Sequence, residues 1–260
     1  MVERRFSEDG RTPLVVAHRG ASREQPENTL AAFEAAVEAG ADAVEFDVRM
    51  TADGHAVVLH DPSVDRTTDG SGLVRDLTLA EIKRLRVRSA SGEPAEVPTL
   101  AETLGLLSGR AAIDVEIKNL PGEEDYDPDD EAAVEATLRA LEEAGFVGGV
   151  LVSSFNPWSI ARSRDLAPEV STGLLTIEHM PVADAVAMAA GAGHGWVLPA
   201  APAVLAAGEP VATLAHDAGL RLGTWIVDDG PTARKLADWG LDAIATNDPA
   251  VIVDAVTSAR

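Results

Sequence analysis

Two apolar patterns alternate along the chain. Short β-prone runs occur at 14–17, 43–49, 111–117, 149–154, 171–176, 195–198, 221–227 and 243–246. Between them, apolar residues recur at helical spacing over 28–39, 99–107, 130–144, 157–165, 182–190, 208–218 and 231–239, with a last such stretch at 248–258. Repeated strand-then-helix order predicts a parallel sheet with right-handed crossovers. About eight such units in this length predict an α/β fold of the (β/α)8 TIM-barrel type rather than an open sheet. Gly40, Gly145, Gly219 and Gly240 each fall where a helix is expected to end, as left-handed C-terminal caps do. The pattern gives one domain over 12–258. One segment breaks the rhythm. Residues 51–98 separate the second strand from its helix by far more than an ordinary loop. They begin with a turn at Asp53-Gly54 and a return strand towards His60. A loop at Thr67–Gly72 and a short helix at 79–85 follow. We expect them to form an insertion on one rim of the barrel, covering the site.

Four of the apolar runs end in reactive groups: Leu14-Val-Val-Ala-His-Arg-Gly20, Ala43-Val-Glu-Phe-Asp-Val-Arg49, Ala56-Val-Val-Leu-His-Asp61 and Ala111-Ala-Ile-Asp-Val-Glu-Ile-Lys118. Side chains alternate across a strand, so Glu45 and Asp47 share one face while Val44, Phe46 and Val48 take the other. Glu116 and Lys118 share a face in the same way. Carboxylates repeated along a buried strand cost several kcal/mol each unless a cation compensates them. The pattern therefore predicts an active site that holds one divalent metal. Three carboxylates, Glu45, Asp47 and Glu116, are hard oxygen ligands suited to Mg²⁺ or Ca²⁺. His18 and His60 are the candidate proton shuttles near neutral pH. Arg19 and Lys118 are cations available to an anionic ligand.

Composition narrows the partner. The net charge of −22 argues against nucleic acid, whose binding rests on Lys and Arg neutralising phosphates. It also argues against stable association with an anionic membrane. The site itself differs from the whole: three carboxylates, a divalent ion, Arg19 and Lys118 sum to about +1, which suits a small-molecule phosphodiester. The chain has no cysteine, which excludes thiol catalysis and disulfides and fits a cytoplasmic setting. The first nine residues lack the apolar core of a signal peptide. Ala185 to Gly208 carries no formal charge, but it holds His194, Pro199 and Pro202 and much Ala and Gly. We expect a helix, a short strand and a loop there rather than a membrane span. A homo-oligomer is compatible with the sequence.

Seven motifs occur together and in order: His18-Arg-Gly20, Pro26-Glu-Asn-Thr29, Glu45-Phe-Asp47, His60-Asp61, Arg66-Thr-Thr-Asp-Gly70, Val97-Pro-Thr-Leu-Ala-Glu102 and Glu116-Ile-Lys118. With weaker matches at Ser154-Phe155 and Thr224-Trp225, the chain resembles the glycerophosphodiester phosphodiesterase family from Leu14 to about Pro249. The resemblance implies a TIM-type barrel with a subdomain inserted after its second strand. It implies metal-dependent hydrolysis of glycerophosphodiesters to sn-glycerol 3-phosphate and an alcohol. In that likeness Glu45, Asp47 and Glu116 match metal ligands, while His18 and His60 match an acid/base pair, with His18 as base and His60 as acid. Arg19 and Lys118 match phosphate contacts, Trp225 an aromatic packing against glycerol, and Glu27 a site-lining carboxylate. The sequence departs from the family at Asp228, expected near the rim, and at Asn247, expected to be structural. The alternatives are a lysophospholipase D, with Leu73, Val74, Leu77 and Leu79 lining an apolar groove, and a non-catalytic phosphodiester-binding barrel.

Other polar features are expected to be structural. Asn28 reads as the N-cap of an Ala-rich helix. The acidic run at 123–131 lacks the glycine and spacing of an EF-hand and reads as a solvated loop before a helix N-terminus. The Thr68–Gly72 loop lacks the Lys-Ser/Thr of a P-loop. His55, His179, His194 and His216 have no partners that mark a site.

Overall fold

The structure is a computed structural model, in which residues 13–89, 95–128 and 131–257 are described. Residue 12, residues 130 and 258 at two expected helix ends, and the first nine residues lie outside the described ones. Eight parallel strands close into a barrel: β1 (Leu14–His18), β2 (Ala43–Met50), β4 (Ala112–Ile117), β5 (Val150–Ser154), β6 (Ser171–Thr176), β7 (Trp196–Pro199), β8 (Arg221–Thr224) and β9 (Ala243–Thr246). Closure comes from β1, which pairs with both β2 and β9. The short β3 (Ala56–Val58) is the return strand expected from the sequence, antiparallel to β2.

The helices are α1 (Leu30–Glu38), α2 (Leu79–Ile82), α3 (Leu100–Leu107), α4 (Ala132–Ala144), α5 (Pro157–Leu166), α6 (Val182–Gly191), α7 (Ala201–Ala207), α8 (Val211–Asp217), α9 (Gly230–Asp238) and α10 (Pro249–Thr257). They cover the outward face of the strands. Val44, Phe46 and Val48 pack there against Phe33 of α1 and Leu104 and Leu107 of α3, with Phe33 and Phe46 at 5.7 Å between ring centroids. Inside the barrel, Val16, Leu151, Leu198 and Trp196 form a separate cluster. Gly40, Gly145, Gly219 and Gly240 all have positive φ, as expected of helix ends.

Three expectations need correction. The N-cap of α1 is Thr29, whose side chain accepts the Ala32 N–H, so Asn28 is not the cap. The stretch expected to be a loop after β7 forms α7, because Pro202 stands in its first turn, where its missing N–H goes unused. The strand expected over 221–227 stops at Thr224.

Between β2 and α3 the chain carries β3, a 3-10 turn at Val74–Asp76 and α2. It builds its own small core from Val57, Leu59, Val64, Val74, Ile82, Val87 and Val97, with Leu77 and Leu79 packed against it. Val74 is wholly buried in this core, while Leu77 and Leu79 are partly buried against it. The stretch is tied back by the α3 N-terminus: Thr99 and Glu102 form a reciprocal capping box, and Thr99 bridges Val57. Among the described residues no helix is long and apolar enough to cross a membrane.

Candidate active site

Parallel register stacks the reactive groups at the C-terminal ends of the strands. His18 lies opposite Glu45, and Asp47 opposite Glu116. Carboxylate oxygens of Glu45, Asp47 and Glu116 all come within 4.8 Å of one another, and the three residues are buried. Two cations compensate them. Lys118 Nζ lies 3.0 Å from Asp47 Oδ1 and 2.5 Å from Glu116 Oε1. Arg19 Nε lies 3.2 Å from Asp47 Oδ2, and its backbone N–H donates to Glu45 Oε2 at 2.8 Å.

Unusual backbone makes this possible. Arg19 and Asn28 are non-glycine residues in the left-handed region, at φ 56° and 57°. Such conformations persist only where the surroundings fix them. Arg19 thereby turns both its N–H and its guanidinium to the carboxylates. Asn28, placed by the sequence at a helix cap, instead donates its amide to Asp47 Oδ2 at 2.7 Å. Gly20 is required between them: a Cβ there would come within 2.6 Å of the Ala32 backbone.

Burial raises every acid in the cluster, and position decides the outcome. Burial pushes Asp47 up, but Lys118 and Arg19 overcome it and hold the carboxyl well below the usual range. Glu45 goes well above, through burial and then the charges of Asp47 and Glu116. Burial also pushes Glu116 up to about 7, against the pull of Lys118. Asp114, on the same strand face, is a fourth buried acid that the sequence reading passed over. Its burial pushes it up to about 7, although Ser153 Oγ donates to it at 2.7 Å. The expected site charge of about +1 omitted this group.

The donor set fits a hard divalent cation. Glu45 Oε1 is buried and accepts no hydrogen bond, and an unpartnered buried carboxylate oxygen is costly without a cation. Among the described residues, the group that converges there is made of carboxylate oxygens alone, the ligand type that hard divalent cations take.

The two histidines differ in their partners. His18 Nδ1 is 2.8 Å from Asn247 Oδ1. Burial, then the Arg19 charge, lowers His18 to about 4. His60 Nδ1 is 2.6 Å from Asp61 Oδ1; burial lowers this histidine too, although the charge of Asp47 opposes it. Asp61 is held at about 2, where the hydrogen bonds of Arg66 and His60 overcome burial. Arg66 spans the rim. It contacts Asp61 Oδ2 at 2.5 Å and Glu27 at 2.7 and 2.9 Å. Glu27 in turn accepts from Arg19 Nη1 at 3.0 Å. Glu27 is thus a bridge between two arginines at the rim.

These groups open on one cavity of about 230 Å³. His18, Arg19, Glu45, Glu116, Lys118 and His60 line one side of it, and Asp114 lies on that side too. Leu151, Leu175, Leu198, Ala243, Ala245 and Trp225 line the other. Trp225 is fixed by its indole N–H, which donates to the Leu198 carbonyl at 2.8 Å, and by an edge contact with Phe155 at 5.3 Å. Of the nine residues singled out from the sequence, only Asp47 and Glu27 do not line the cavity. Asp47 stands behind Lys118 and Arg19, and Glu27 behind Arg19. His55, His179, His194 and His216 do not line it.

Two further expectations change, for the acidic run and for Asn247. Arg49 is almost wholly buried and pairs at 2.7 Å with both Glu123 and Asp125, so this part of the acidic run is a clamp rather than a solvated loop. Residues 129 and 130 of that run lie outside the described ones. Asp228 accepts from Asn247 and Thr246, and Asn247 reaches His18 rather than serving structure alone.

The sequence from residue 18 to 251 matches the model of the glycerophosphoryl diester phosphodiesterase family. The chain belongs to the glycerophosphoryl diester phosphodiesterase family. A glycerophosphodiester phosphodiesterase of Caldanaerobacter subterraneus is 36% identical over 257 residues, covering 94% of this chain and 97% of that protein. One of Bacillus subtilis is 32% identical, covering 91% and 84%. Among solved structures, an Oleispira antarctica phosphodiesterase in complex with its product sn-glycerol-3-phosphate superposes with a TM-score of 0.83 at 28% identity, covering 95% and 97%. The solved structures of this family share the barrel.

Proposed function

We propose that the protein hydrolyses glycerophosphodiesters to glycerol 3-phosphate and an alcohol, with a bound divalent metal and the pair His18 and His60. The observation that carries the reading is the convergence of Glu45, Glu116, Lys118, Arg19 and both histidines on one cavity, in a chain of this family. Glu45, Asp47 and Glu116 would hold the metal, Mg²⁺ or Ca²⁺. When bound, such an ion supplies Lewis-acid stabilisation of charge on the phosphoryl oxygens.

The remaining work falls to this chain's side chains. Arg19 and Lys118 add positive charge where the monoanionic diester must sit, and in a water-poor cavity preorganised charges act more strongly than in solution. His18, neutral because it is buried, accepts the proton of the attacking hydroxyl. His60, backed by the Asp61 carboxylate, delivers a proton to the departing alkoxide oxygen, so that one proton is taken up and one released per turnover. Trp225 and its apolar neighbours exclude water and pack against the carbon skeleton of the glycerol. Glu27 holds Arg19 and Arg66 at the rim.

Residues 51–98 act as an insertion on the catalytic rim of a single barrel domain, supported by their separate core and by His60 and Arg66, which they contribute. A cytoplasmic setting is supported by the cysteine-free sequence. The test is to strip the purified protein with chelator, reload it with Mg²⁺ or Ca²⁺, and follow glycerol 3-phosphate released from a panel of glycerophosphodiesters. Release that depends on added metal is expected. No release from any substrate with either ion would overturn the proposal.

A further inference from the structure

Asn247 follows β9 directly, and its amide is held at both ends. On one side its backbone N–H donates to Asp228 Oδ1 at 2.8 Å and its Nδ2 donates to Asp228 Oδ2 at 2.9 Å. The Thr246 hydroxyl donates to Asp228 Oδ1 as well, at 3.0 Å. On the other side Asn247 Oδ1 lies 2.8 Å from His18 Nδ1. The Ser22 hydroxyl sits 3.0 Å from the same oxygen and 2.8 Å from the His18 carbonyl.

The order of donors and acceptors along this chain is forced. An ionised carboxylate can only accept, so the NH₂ end of the Asn247 amide must face Asp228. Its oxygen must then face His18, and an amide oxygen can only accept. His18 must therefore carry its proton on Nδ1, which leaves the lone pair on Nε2. We propose that Asn247 is a positioning residue that fixes the Nδ1–H tautomer of His18, and that Asp228, which reaches His18 through the Asn247 amide, sets which way that amide lies. Asp61 likewise accepts from Nδ1 of His60, which leaves Nε2 of that ring as the position that carries the proton it delivers. His18 is held instead through an amide, which orients the ring without placing a negative charge beside it. The functional importance of this chain rests on the proposed role of His18 as base, whereas the tautomer itself does not.

The test separates the two. In Asp228→Asn, the new amide keeps its oxygen towards the Asn247 N–H and Thr246, so two NH₂ groups would face each other. Asn247 then turns over and offers its NH₂ to His18 Nδ1, moving the His18 proton to Nε2. In the double variant Asp228→Asn/Asn247→Asp, the amide of residue 228 donates to the new carboxylate at 247, which again accepts from His18 Nδ1–H. Long-range ¹H–¹⁵N spectra of the full chain report the tautomer, with the His18 signals assigned by their loss in His18→Gln.

The expected result is Nδ1–H in the wild type, Nε2–H in Asp228→Asn, and Nδ1–H again in the double variant. With a glycerophosphodiester and metal, Asp228→Asn should lose about 10²-fold in kcat with KM changed less than about threefold, and the double variant should recover to within about tenfold of the wild type. An Nε2–H wild type, or an Asp228→Asn variant that keeps both its tautomer and its kcat, would overturn the proposal. A lowered melting temperature in both variants with the tautomer unchanged would also overturn it, since that is the signature of a packing role alone. A wild type that turns over no phosphodiester would sink the reading of the activity while the spectra still decide the hydrogen bond.

Discussion

The two walls of the barrel interior are built from the same strand geometry and carry opposite chemistry. Towards their C-terminal ends, β1, β2 and β4 present His18, Glu45, Asp47, Asp114, Glu116 and, just past the strand, Lys118, above Val16, Ala43 and Ala112 deeper in the barrel. On β5 to β9 the inward positions are Leu151, Leu175, Leu198, Gly223, Ala243 and Ala245. The first wall is costly to bury and is stabilised by its internal charge pairs and by the hydrogen bonds it accepts from Asn28, Ser153 and the Arg19 backbone. The second is easy to bury but leaves space, because several of its side chains are small. One wall therefore supplies chemistry and the other supplies room and shape. Substitutions on the first should change kcat, while those on the second should change KM.

The largest break should come from Asp47, the acid that Lys118, Arg19 and Asn28 all contact. Asp47→Asn should lower kcat/KM by about 10³-fold or more, and should reduce the rise in melting temperature on adding metal. A loss below tenfold would mean that the charged wall does not work as one unit. Next comes Asp61→Asn, which leaves His60 without its carboxylate. A loss of about 10²-fold is expected for alkyl diesters and a much smaller one for an aryl diester, whose leaving group needs no proton. Equal losses on both would reassign His60.

The charged wall should also show a stability cost that depends on pH. Burial, then Arg19, puts His18 at about 4 in the folded protein, below its value of about 6.5 in an unfolded chain. The unfolded state therefore binds more protons between these values, and stability falls as pH falls through that window. Between pH 6.5 and 5 this one group should remove about 1.5 kcal/mol. Denaturant melts of wild type and His18→Gln at both pH values measure it, as a steeper loss in the wild type. The smallest effect sharpens the other wall. Trp225→Ala should raise KM about tenfold with kcat changed less than about threefold, as expected when binding common to the ground and transition states is removed.

Much of this was legible before any coordinates. Alternating patterns set out the barrel, and period-two spacing put Glu45 with Asp47 and Glu116 with Lys118. The same spacing puts Asp114 on the face of Glu116, but it stands one period back from the strand end where the motifs gather. Asp61 and Arg66 stood within recognised motifs, but a motif does not say which member touches the other. Asn28 was read from its neighbours in sequence as a cap, since helix starts favour Asn. Its left-handed φ, which swings the side chain to Asp47, is set by packing that no local pattern records. The pairing of Arg49 with Glu123 and Asp125 was hidden for a similar reason: a run of acids looks solvated until a buried cation is seen beneath it.

His18 and Asn247 stand 229 residues apart in the chain, and β1 reaches β9 only when the barrel closes. Contacts of such long range form late, because the loop they close must be ordered first. During synthesis, β2 and β4 can gather the acids long before the last strand exists. Glu45, Asp47 and Glu116 are therefore made well before the residue that orients His18. Barrel closure would then act as the commissioning step, with Asn247 among the last parts fitted.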